Sequence, residues 1–106
     1  IRTNWAVWNE MWQYAAHNDA ARAMVADSHG RWLEQVAGLI ADGAADGSIP
    51  ATVDVDAAAR RLAACVDDWG RETLIGMRTP AGMRAALAAA TAHELGPMRR
   101  ARGRAA

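Results

Sequence analysis

The 106-residue chain contains no lysine: all twelve basic residues are arginine, and twelve carboxylates balance them to a formal net charge of zero. The missing lysine we read as codon usage of a GC-rich genome rather than as chemistry. The charge balance excludes a chain-wide field that would hold nucleic acid or an anionic membrane. A single cysteine, Cys65, excludes a disulfide framework within the chain, so a reducing, cytoplasmic setting is expected. Its small apolar neighbours make it a packed, inert thiol rather than a redox sensor. No apolar run approaches the roughly 20 residues that span a bilayer, and no signal-peptide pattern opens the chain. The three histidines, His17, His29 and His93, form no His-x-x-x-His unit, and no Cys-x-x-Cys pair joins them, so neither a metal nor another cofactor is expected. Nucleophile elbows and phosphate loops are also missing. Asp67, Asp68 and Glu72 read as a polar rim with ion pairs rather than as an acid–base pair, and we expect no enzyme.

Short alternating runs bounded by turn residues are missing too, and with them any strand. What remains is helical periodicity, in a chain 52% apolar and dominated by alanine. A first helix is expected from Thr3 to His17, with Trp5, Trp8, Trp12 and Ala15 or Ala16 on one face. Val7, Met11 and Tyr14 widen the stripe past half the circumference, as in a helix set among several neighbours. Asn18-Asp19 breaks and caps. The next helix runs from Ala20 to about Ala45, with a bend expected near Ser28-His29-Gly30. Asp54 or Asp56 caps a third, reaching about Met77, with Val55, Ala58, Ala59, Leu62, Val66, Trp69, Thr73 and Met77 on its core face. Thr79-Pro80 opens the last helix and Gly96-Pro97 ends it. The expected fold is an all-α multi-helix bundle of four or five helices. It fills residues 1–97 as one domain, followed by a basic tail, 98–106, expected to be disordered and solvated.

The ordered features resemble the C-terminal half of TetR-like regulators, bacterial transcription factors, and most of all the betaine-repressor branch. Trp5-Ala6-Val7-Trp8 leads to the polar break His17-Asn18-Asp19-Ala20-Ala21-Arg22. Trp32-Leu33-Glu34-Gln35-Val36 leads to the glycine-rich close at Ile40 through Ile49. Val53-Asp54-Val55-Asp56-Ala57-Ala58-Ala59-Arg60-Arg61-Leu62 opens the capped helix. A small-apolar run in that helix normally ends Asp-Gly-Leu; here Asp67-Asp68-Trp69 stands instead. The resemblance covers residues 4 to 96 and implies the effector-binding and dimerisation domain of a repressor that releases operator DNA when a small molecule binds. The DNA-binding helix-turn-helix domain expected ahead of it is absent from this chain, so no operator binding is expected of the chain alone.

The resemblance implies an effector cavity beside the first helix. Trp5, Trp8, Met11, Trp12, Met24, Trp32, Val36, Trp69 and Thr73 are its candidate lining residues, and their alternative role is core packing. Stacked aromatics suit an apolar or cationic effector. Trp69 either closes the cavity or fills it. The resemblance also implies a homodimer through the last two helices. Arg61, Ala64, Cys65, Asp68, Glu72, Ala86, Ala90 and His93 are candidates for that interface, with Arg61 reaching Asp68 or Glu72 of the mate. The alternative from a different class is a stand-alone helical interaction module without a small-molecule pocket.

Overall fold

The computed structural model describes residues 2–97. The basic tail lies outside the described residues. Four helices follow one another: α1 (Arg2–Ala15), α2 (Asp19–Asp46), α3 (Val55–Leu74) and α4 (Pro80–Leu95). No strand occurs among the described residues, and the fold is an all-α bundle.

Each boundary has a local chemical cause. Asn18 is extended, and its side-chain oxygen accepts from the Ala21 N–H at 2.9 Å, which starts α2. Asp54 does the same for Ala57 at 3.2 Å, and Thr79 for Gly82 at 3.0 Å, with Pro80 following at the first helical position. Gly47 ends α2 in the left-handed conformation, φ 87°. The chain then turns back, and the Ile49 N–H donates to the Gly43 carbonyl at 3.0 Å.

Three expectations about the helices change. First, α1 ends at Ala15 rather than His17. The Ala16 and His17 N–H groups donate three residues back, to Gln13 and Tyr14, and tighten the chain into a turn. Second, α2 runs unbroken through Ser28-His29-Gly30 as one 28-residue helix. A mid-helix glycine costs only about 1 kcal/mol; packing of α2 against both α1 and α3 outweighs it. Third, α3 stops at Leu74, and the Met77 N–H reaches back to the Glu72 carbonyl at 2.8 Å across a turn. Met77 therefore leaves the core face it was assigned and is 70% exposed.

Packing is thin, as an alanine-rich chain dictates. One core cluster joins Ile40, Ile49, Ala58, Ala59 and Leu95; a second joins Ala15, Ala21 and Val25, with Trp8 and Met11 packed against it. α1, α2 and α3 pack mutually, whereas the α4 backbone lies beside α3 alone. Leu95 at the far end of α4 reaches the first cluster. Arg61 on α3 and Glu94 on α4 add an ion pair at 2.7 Å. The described chain measures 52 × 31 × 21 Å, and α4 forms an outer flank.

Candidate functional site

α1 and α3 meet along a cleft of about 170 Å³. α1 contributes Trp5, Trp8, Asn9 and Trp12, and α3 contributes Asp67 and Arg71. The helical spacing explains both sets: positions three and four apart share a face. On α3 the same face carries Gly70, and that glycine sets the approach of the two helices. A Cβ there would stand 2.3 Å from Cη2 of Trp5, so the indole occupies the space a side chain would take. Trp5 seated on Gly70 forms one end of the cleft. Trp8 and Trp12 continue the wall with their rings edge to face, centroids 6.1 Å apart. On its other side Trp12 meets the His29 ring from α2, edge to face at 5.2 Å.

Asp67 is the polar focus of this wall. No described residue hydrogen-bonds its carboxylate. Partial burial raises its pKa above the ordinary 3.8, while the charges of His29 and then Arg71 act to lower it. The cleft thus presents indole surface, one amide and a carboxylate poorly solvated by water, with a guanidinium one turn further along α3. Among the described residues no cluster of His, Cys, Asp or Glu suits a metal ion.

Of the nine candidate lining residues, Trp5, Trp8 and Trp12 come together at the cleft. Met11 packs into the second core cluster and Val36 against the first. Met24 and Trp32 project from the outward side of α2, 51% and 38% exposed. Trp69 and Thr73 turn toward the α3–α4 connection. The Arg78 guanidinium lies over the Trp69 ring at 5.1 Å, and the Thr73 hydroxyl lies 3.5 Å from the Met83 sulfur. Trp69 therefore neither closes nor fills the cleft beside α1. Asn9, Asp67 and Arg71 are cleft residues that sequence reasoning did not assign. Gly70 alone could not signal the approach, since Gly30 and Gly38 are also glycines inside a helix and meet open space.

The interface candidates lie on the outer flank. Arg61, Ala64, Asp68 and His93 are exposed, while Cys65, Glu72, Ala86 and Ala90 are half-buried. Within one chain Arg61 is engaged by Glu94, and Glu72 by Arg78 at 3.4 Å, so neither waits unpaired for a mate.

The described residues thus form an all-α bundle with an aromatic cleft on one side and an alanine-rich flank on the other. The family described as "BetI-type transcriptional repressor, C-terminal" matches residues 2–96, and the chain belongs to it. Its role is therefore transcription regulation, as the C-terminal domain of a repressor. Comparison with curated proteins returns no match, and neither does comparison with solved structures. No helix among the described residues is long and apolar enough to cross a membrane.

Proposed function

We propose that this domain senses a small molecule in the α1–α3 cleft and dimerises through α3 and α4. It would act in the cytoplasm and have no catalytic role. A helix-turn-helix domain preceding it in the full regulator would hold the operator. Effector binding would then favour one separation of the two DNA-binding heads over another, a shift between existing conformations that releases the operator.

The observation that carries the sensing role is the placement of the half-buried, unbonded Asp67 carboxylate beside Trp5, Trp8 and Trp12. Indole faces and a carboxylate together favour a small organic cation over a neutral molecule of equal size. Tetramethylammonium is a suitable probe, with neopentyl alcohol as its neutral counterpart. Tryptophan fluorescence of the wild-type chain should saturate with the cation and respond weakly to the alcohol. Trp8→Ala and Asp67→Asn should each weaken the cation by about tenfold or more. Equal binding of both probes, or a silent Asp67→Asn, would remove the cationic reading; no response to either would remove the cleft as a sensor.

A further inference from the structure

Trp12 is the shared wall of two spaces. Beyond it, on the side away from Asp67, lies a larger groove of about 570 Å³ between α1 and α2, with Arg60 of α3 at its edge. We propose that this groove is a second binding site, and that it takes a small anionic amphiphile: a short or medium alkyl chain ending in a carboxylate.

The floor is apolar and low. Ala15 and Ala16 come from α1, and Val25, Ala26 and Leu33 from α2. Gly30 also lines the groove, and a Cβ built there meets no atom within 4 Å. The groove is thus open at the point where α2 has no side chain. A volume of this size falls in the usual range of small-molecule sites, about 300–1,000 Å³.

The full charges at the rim have one sign. Arg22 and Arg60 line the groove beside His29, and no carboxylate does. In a chain whose charges cancel overall, that segregation selects an anion. Arg22 is held in place: its Nε donates to the Ala15 carbonyl at 3.4 Å and its Nη1 pairs with Asp19 at 3.1 Å. Its charge is already partly matched. His29 faces the Trp12 ring, and its charge acts on Asp67. Arg60 differs from both. Glu34 and Asp56 line an adjoining hollow that shares Gly30, Leu33 and Arg60 with the groove, yet neither lies within ion-pairing distance of Arg60, and no other described residue does. A ligand carboxylate at Arg60, with its alkyl chain lying over Gly30 toward Ala15, would meet the one guanidinium at this rim that is free to form a charge-assisted hydrogen bond. The site is separate from the tryptophan cleft, so it stands or falls independently of the cation-sensing reading.

Three probes of equal chain length test it by calorimetry on the 106-residue chain at low ionic strength: octanoate, 1-octanol and octyltrimethylammonium. Octanoate should bind about tenfold tighter than octanol. Arg60→Gln should abolish that advantage and leave octanol unchanged. Gly30→Leu places a side chain in open helical space, where it favours rather than breaks the helix; it should block octanoate and octanol alike. Octyltrimethylammonium binding that survives Gly30→Leu and is lost in Asp67→Asn would occupy the tryptophan cleft and leave the groove to the anion, as proposed. The inference is overturned if octanoate shows no preference over octanol, if Arg60→Gln leaves that preference intact, or if Gly30→Leu binds octanoate as the wild type does.

Discussion

Gly70 and Trp5 are coupled by contact: the absence of one side chain makes room for the other. Any Cβ at position 70 would fall within 2.6 Å of three ring atoms of the indole, so the half-buried ring would have to shift out of its seat. Replacing glycine by alanine inside a helix is usually favourable by about 0.5–1 kcal/mol. Here overpacking should dominate, with a net loss of about 1–3 kcal/mol. Gly70→Ala should lower the melting temperature and shift the tryptophan emission as Trp5 is displaced toward water; a melting temperature at or above wild type would refute the contact. Gly30→Ala is the opposite case, since nothing stands above Gly30. It should raise stability by about 0.5–1 kcal/mol in a urea titration.

Asp67 gives a pH signature at the same scale. Its pKa in the folded chain lies above the ordinary 3.8 because burial disfavours the charge. The folded state therefore holds this proton more tightly than the unfolded state. The stability it contributes is full below 3.8 and is lost as pH rises through the raised folded-state value. Asp67→Asn keeps the shape and removes the charge. The variant should be more stable than wild type at neutral pH, with the gap closing in acid; urea midpoints at the two pH values measure it. A gap that widens in acid would contradict the burial argument.

At the scale of the helix, the legible parts of the fold were those written in neighbouring residues. Asn18, Asp54 and Thr79-Pro80 signal helix starts through bonds reaching three residues forward, and Gly96-Pro97 signals an end; all four fall where expected. Each cap should be measurable: Asn18→Ala and Asp54→Ala should each cost about 1 kcal/mol in chemical denaturation. Two other features were not local. Ser28-His29-Gly30 has the composition of a break, but α2 packs against both α1 and α3 and continues through it as one helix. The cleft was legible only on α1, where tryptophans at three- and four-residue spacing mark the face that lines it. On α3 periodicity offered the face of Trp69 and Thr73, which packs toward α4 and its connecting turn. Which side of α3 meets α1 is decided by the fit of Trp5 over Gly70, a contact across 65 positions of sequence that no local pattern contains.

For the whole molecule the thin core is the governing fact. Every α4 alanine except Ala86 and Ala90 is exposed, and those two are only half-buried. A flank of small side chains lets a second helix pair approach closely, and an added interface would supply the burial that one chain lacks. The proposed dimer should appear in light scattering at micromolar concentration, and Ala90→Arg should shift it toward monomer while circular dichroism retains the helical signal. A wild-type chain that scatters as a monomer would remove the dimer.

The unbroken course of α2 has a mechanical consequence. At about 1.5 Å per residue, 28 residues make a rod roughly 42 Å long. A rod without a hinge cannot absorb a push locally. It pivots, and a tilt of about 5° about its middle carries each tip through roughly 2 Å. His29 and Gly30 sit near that midpoint, where both hollows bordered by Trp12 come close to the rod. A guest pressing there acts slightly to one side of the middle, on a short lever arm, so a small displacement at the groove becomes a larger one at the tips.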